Sequence, residues 1–274
     1  MHVIAILNLK GGTGKSTTTR NMAYLLAAHY GKRVLACDLD SSGNLSAMFG
    51  MRPDACVMCP MGTVMESKDA DPHEYVIRTT LEGLDLLAAN DTLKPVDTAI
   101  RLDQRTPQQT RLKKQLAKLA SEYDYCLLDC PPSEDLLVIN ALACAQEVII
   151  PCEVSMDSMD AAVRVAKLVM EIEDFNPSLT IRGMLMTKVK NNALDKDGIN
   201  VTLPGIPKFR SYIRQSVDVE RSRFLNASLH EYVKQEKKKP FPALFDYDNF
   251  VAEYMGGAPL HLDAPYLRES ASSI

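Results

Sequence analysis

Lys10-Gly11-Gly12-Thr13-Gly14-Lys15-Ser16-Thr17 is the stretch that decides the fold of this chain. Upstream of it, His2 to Leu7 is a continuous apolar run, β-branched in part, that leads straight into the glycines and reads as a buried strand. Downstream, Lys15 to Tyr30 places Met22, Leu25 and Leu26 at helical spacing, and Gly31 stands where a helix C-capping glycine belongs. Three glycines between a strand and a helix let the backbone curl so that successive N–H groups converge on an anion. The helix N-terminus adds the positive end of its dipole. Residue type then selects the anion. Lys15 would reach the β- and γ-phosphates of a nucleoside triphosphate, and the Ser16 hydroxyl would coordinate Mg²⁺. Gly11, Gly12, Thr13, Gly14, Lys15, Ser16 and Thr17 are the expected nucleotide-binding residues.

Outward from this loop, short apolar runs alternate with segments of helical period. Arg33 to Cys37, Leu84 to Ala88, Tyr125 to Leu128, Val148 to Ile150 and Ile181 to Met186 are strand candidates. Gln108 to Glu122 and Ser158 to Ile172 carry helical patterns between them. Strands that are apolar throughout, separated by helices, predict an α/β fold of the P-loop type. Its sheet would be mostly parallel and twisted, with helices on both faces. No internal repeat or low-complexity linker divides the chain, so residues 1–255 are expected to form one domain. Residues 256–274, rich in Gly, Pro, Ser and Ala, are expected to form a loosely attached tail.

Carboxylates follow two of these strands. Tyr125-Cys126-Leu127-Leu128-Asp129 is an apolar strand ending in an acid, where Asp129 would hold Mg²⁺ through a water. Asp38 and Asp40 end the second strand, at the edge of a parallel sheet where ligands bind. Either could instead cap the following turn.

The loop departs from the general P-loop pattern. Leu9 stands where the first glycine would be, and a second lysine, Lys10, follows it. In this it resembles the deviant Walker A family, whose members include ParA/Soj partition ATPases, MinD, the nitrogenase iron protein and arsenite-pump ATPases. The resemblance implies that Lys10 reaches across a homodimer interface to the partner's nucleotide. Asp38-Leu39-Asp40-Ser41-Ser42-Gly43-Asn44 resembles the family's Asp-x-Asp-x-x-Gly-Asn segment. That likeness makes Asp40 the residue that orients the attacking water and puts Asp38 near the Mg²⁺ shell. Asp129-Cys130-Pro131-Pro132 resembles the family's Asp-x-Pro-Pro segment. The catalytic set implied is Lys10, Lys15 and Asp40, the metal set Ser16, Asp38 and Asp129, and the reaction a slow hydrolysis of ATP with Mg²⁺.

Among the family's branches the chain is most similar to the short ParA/Soj type. The cysteines lack the setting of an iron–sulfur clamp, the C-terminus lacks a basic amphipathic membrane helix, there is one phosphate loop, and Tyr266 forms no tyrosine cluster. The loop begins at Lys10, with no room expected before it for a helix-turn-helix domain. The ParA/Soj branch implies plasmid or chromosome partition, an ATP-dependent homodimer, nonspecific DNA as a partner and a ParB-like adaptor. A small-molecule ligase or synthase of the same superfamily, or a scaffolding ATPase for a protein cargo, are the alternatives. The adenine-contacting segment is either Ile213-Arg214-Gln215-Ser216 or Ile206-Pro207-Lys208.

Bulk composition restricts the partners. A net charge of −4 and a pI near 5.8 mean that any nucleic-acid contact needs a local basic patch. Lys208, Arg210, Arg214, Arg221 and Arg223 are the candidates, although Asp218 and Glu220 interleave with them as on a solvated helix face. Lys234 and Lys237 to Lys239 read as solvated surface. The seven scattered cysteines suit free thiols in a reducing cytoplasm, and the lone Cys56-Val57-Met58-Cys59 has no second pair with which to hold zinc. With no signal peptide and no long apolar stretch, the expected location is cytoplasmic, nucleoid-associated if DNA is bound, and not the membrane.

Overall fold

The computed structural model of the chain describes residues 1–51, 60–67 and 69–261. Eight strands form one sheet: β1 (His2–Ile6), β2 (Val34–Asp38), β3 (Ile77–Arg78), β4 (Leu84–Leu87), β5 (Tyr125–Asp129), β6 (Glu147–Glu153), β7 (Thr180–Val189) and β8 (Lys208–Arg214). Their order is β3-β4-β2-β5-β1-β6-β7-β8, and every neighbouring pair is parallel except β3 with β4.

The continuous apolar runs follow from burial on both sides. In β1, Val3 and Ala5, with Leu7 beyond the strand end, join a core on one face of the sheet. Ile4 and Ile6 join a second core on the other. The first core is closed by the helices Pro60–Glu66, Lys94–Leu102, Arg111–Lys118, Leu136–Cys144 and Met156–Glu171. The second is closed by Lys15–Ala28 and Pro242–Tyr254. A strand covered twice has no polar face, so the period-two alternation of a half-exposed strand is absent.

The chain crosses from β1 to β2 over the position later filled by β5, and β6 then adds on β1's other side. The strand order reverses at β1, which opens a crevice beyond its C-terminal end. The phosphate loop lies there. The Lys15–Ala28 helix is buried almost all round, between the sheet and the Pro242–Tyr254 helix. Its polar groups therefore need partners. Arg20 is ion-paired with Glu231 and donates to Met48 O, and Asn21 accepts from Leu229 N–H at 2.8 Å.

Each predicted strand is present within a few residues, and the helix expected over 108–122 is shorter, Arg111–Lys118. β3 and β8 were not anticipated. β8, Lys-Phe-Arg-Ser-Tyr-Ile-Arg, is an edge strand in which cations interrupt the apolar residues Phe209 and Ile213, so no continuous run marks it. Of the tail expected from residue 256, the part described is fastened rather than loose. His261 exchanges two hydrogen bonds with Asn249 through its backbone, and its ring meets the Asp248 carboxylate at 2.7 Å. Cys37, Cys126, Cys130, Cys144 and Cys152 are buried free thiols, while the Cys56–Cys59 pair lies outside the described residues.

Candidate nucleotide site

The loop takes its shape from glycines that only glycine accommodates without strain. Gly12 and Gly14 have φ of +80° and +89°, in the left-handed region. Gly14 caps the Lys15–Ala28 helix, so the helix's first N–H groups open onto the loop. Two tethers hold the curl. Asn8, fully buried, accepts from Lys10 N–H at 2.9 Å and donates to Pro151 O at 2.8 Å, fixing the loop to β6. From β7, the Thr187 hydroxyl donates to Thr13 O at 2.8 Å. Neither Asn8 nor Thr187 was singled out in the sequence. Asn8 sits directly after the predicted strand, where a buried amide that ties the loop down could have been sought.

The Lys15 amine lies on the carbonyls of Asn8 at 3.1 Å and Lys10 at 3.3 Å. Burial lowers its pKa, and the nearby Asp129 and Asp40 carboxylates pull it back up. Behind it, Asp38 and Asp129 end the neighbouring strands β2 and β5 in register. Burial raises the pKa of Asp129 well above the usual carboxylate range. The negative field of Asp38 raises it further, opposed by the Ser16 hydroxyl and Lys15. One Asp129 oxygen accepts from Thr19 Oγ1 at 3.4 Å; the other, Oδ2, is buried with no hydrogen-bond partner among the described residues. Two buried carboxylates, an orphaned oxygen and a hydroxyl beside it form a hard oxygen-donor set that fits Mg²⁺.

Asp38, expected near the Mg²⁺ shell, also holds protein groups through both of its oxygens. Its Oδ1 accepts from Asp40 N–H at 3.1 Å, and its Oδ2 accepts from Ser46 N–H at 2.8 Å and Ser46 Oγ at 2.7 Å. It thereby clamps the loop that carries Asp40. Burial pushes its pKa up to about 7, against the pull of the Ser46 hydrogen bonds. Asp40 is half-buried and lines the cleft, with Oδ1 accepting from Ser42 N–H at 2.9 Å.

The cleft above the loop has a volume of about 1240 Å³. Gly11, Gly12, Gly14, Lys15, Ser16 and Thr17 form its floor. Its far wall is the run from Tyr212 to Val217 together with Pro242, Ala243 and Tyr247. Of the two candidate base-contacting segments, Ile213–Ser216 lines the cleft and Ile206–Lys208 does not. Lys10 also lies outside the lining, its amine 3.0 Å from Ser155 Oγ and 3.8 Å from Glu153.

The five candidate DNA-binding cations do not converge on one patch. Lys208 donates its amine to Ile199 O, and the Arg214 guanidinium is committed to the buried Asp246 by two hydrogen bonds, at 2.7 and 2.8 Å, beside a third from the Arg214 backbone N–H. Arg223 faces the nucleotide cleft and pairs with Glu220, whereas Arg221 lines a separate pocket beside Phe224 and Lys238. Arg210 is exposed on β8.

Comparison with known proteins places this geometry. Residues 1–181 match a family model described as AAA domain. The chain is 34% identical over 231 residues to the sporulation initiation inhibitor protein Soj of Bacillus subtilis, spanning 83% of this chain and 88% of Soj. Among solved structures, an ATP complex of McdA from Cyanothece superposes with a TM-score of 0.80 at 20% identity, over 95% of this chain and 98% of that one; the likeness is one of fold. Cobyrinic acid a,c-diamide synthase from Mycobacterium smegmatis, with ADP and magnesium, superposes with a TM-score of 0.68 at 28% identity, over 88% and 98% of the two chains.

Proposed function

The chain belongs to the ParA-type P-loop ATPases of the AAA domain family, and from that membership we propose that it is a dimerising, nucleotide-driven switch for plasmid or chromosome partition. As a member it takes ATP with Mg²⁺ and hydrolyses ATP to ADP and phosphate. The single observation that carries the switch reading is the placement of Lys10. Its amine is parked on Ser155 and Glu153, outside its own cleft, where it is available to a second copy's nucleotide.

The chain's own residues divide the work. The backbone N–H groups of the loop, opened by Gly12 and Gly14, bind the phosphates. Lys15, poised on two loop carbonyls, neutralises their charge. Ser16 and Asp129 would hold Mg²⁺, which when bound would screen the phosphate oxygens and so favour attack of water at the terminal phosphorus, with ADP as the leaving group. Asp40 orients that water, and Asp38 fixes Asp40 by holding its N–H and the Ser46 end of the loop. Ile213–Ser216 and Pro242 form the wall against which the base lies. Hydrolysis is slow, as suits a nucleotide-driven switch rather than a metabolic catalyst. In the ATP-bound dimer, exposed cations such as Arg210 and Arg221 contact DNA phosphates without reading sequence. A ParB-like adaptor stimulates turnover, and the protein is cytoplasmic, on the nucleoid when it is bound to DNA.

The likeness to the cobyrinic acid amidating enzyme favours one rival, a small-molecule synthase, for which a cleft of this size leaves room. Retention on nonspecific DNA with ATP, with ADP and without nucleotide, for wild type and Lys15→Ala, separates the two. Retention that needs ATP, fades with salt and is lost in the variant supports the switch. No retention under any condition refutes it.

A further inference from the structure

The end of β7 carries a lysine that the phosphate loop alone does not explain. Lys188 has φ of +53°, a left-handed backbone that is costly for a side chain other than glycine and that persists where its surroundings impose it, often at functional sites. Those surroundings are the loop. Thr187, next in the chain, is bonded to Thr13 O at 2.8 Å, and a Cβ placed on Gly12 would lie 3.9 Å from the Lys188 amine. Lys188 lines the nucleotide cleft. Its amine is 2.9 Å from Glu153 Oε1, while the other oxygen of that carboxylate is 3.8 Å from Lys10. Two ammonium groups thus share one carboxylate, and each is only partly compensated. The Lys188 side chain is 42% exposed, so it is free to exchange partners.

We propose that Lys188 is a phosphate-binding residue of its own chain's nucleotide site, held by Glu153 until a nucleoside triphosphate is bound. It then trades the carboxylate for oxygens of the terminal phosphate. Lys15 approaches the phosphates from the floor of the cleft, and Lys188 approaches from the Gly12 side. A terminal phosphate carries more negative charge than a carboxylate and so displaces it; a diphosphate lacks the group that Lys188 meets. This inference rests on the nucleotide-site reading above.

The strained backbone supplies the test. Glycine at 188 relieves the strain while removing the charge, so a lysine kept only for structure and one kept for phosphate give opposite results. The full chain is titrated calorimetrically with Mg–ATPγS and with Mg–ADP, for wild type, Lys188→Gly, Lys188→Arg, Glu153→Gln and the double variant Glu153→Gln/Lys188→Gly. Lys188→Gly should melt above wild type without nucleotide yet bind ATPγS roughly tenfold more weakly, the loss expected for one charge-assisted contact. Its ADP affinity should stay within about twofold, and Lys188→Arg should retain the preference for ATPγS. Glu153→Gln should tighten ATPγS binding when Lys188 is present and leave it unchanged in the double variant. Unchanged ATPγS affinity in Lys188→Gly, or equal weakening for both nucleotides, overturns the inference while leaving the site reading intact. Failure of wild type to bind either nucleotide overturns both.

Discussion

Asp38 makes the stability of this protein depend on pH in a direction opposite to that of an ordinary salt-bridged carboxylate. Its folded pKa is raised from 3.8 to about 7 because it is fully buried. The folded chain therefore binds a proton more tightly than the unfolded chain. The stabilisation that this proton gives is complete below the unfolded pKa and is lost as pH rises through about 7. A shift of roughly three units corresponds to about 4 kcal/mol in all, of which about 3 kcal/mol falls between about pH 5 and about pH 8. Asp129, raised in the same direction by burial and by Asp38, adds to the slope. For a chain of this size the expected drop in Tm across that interval is about 5–10 °C. Calorimetric melting of the nucleotide-free protein at several pH values, beside Asp38→Asn, isolates the effect. The variant loses an acceptor for Ser46 and melts lower throughout, but its pH slope should be markedly flatter. Saturating Mg²⁺ and nucleotide should also flatten the wild-type slope, because a cation favours ionised carboxylates. Parallel slopes for wild type and variant would refute the reasoning.

Three further outcomes follow from other contacts. Asn8→Ala leaves Lys10 N–H and Pro151 O without their buried partner. Urea unfolding should register a loss of about 3 kcal/mol, with ATP affinity falling as well. Arg214→Ala strands the fully buried Asp246 and should cost about 3–5 kcal/mol, a deficit that Arg214→Ala/Asp246→Asn largely restores in the same assay. Lys10→Ala should bind nucleotide normally yet stay monomeric with ATP in sedimentation, and a normal ATP-dependent dimer in that variant would remove the two-subunit reading.

The sequence by itself determined what depends on local order along the chain. A strand, three glycines and a helix with Lys15 and Ser16 at its start can curl in essentially one way, so the loop and its phosphate chemistry were legible from residues 2–30, while the apolar runs spaced onward to Met186 marked the parallel sheet behind it. Asp129 was legible for the same reason, as an acid ending an apolar run. Tertiary structure decided what depends on contacts between distant segments. Only the pairing of β2 with β5 sets Asp38 beside Asp129, and only the packing of Ser46 onto Asp38 makes that residue a clamp on the segment that carries Asp40. β8 was hidden because an edge strand tolerates cations, and once folded its arginine at 214 was spent on Asp246 rather than presented on a DNA-binding face. Asn8 ties the loop to Pro151, and Thr187 and Lys188 meet the loop, across gaps of about 140 to 180 residues in sequence, a separation along which burial and hydrogen-bond satisfaction leave no periodic mark.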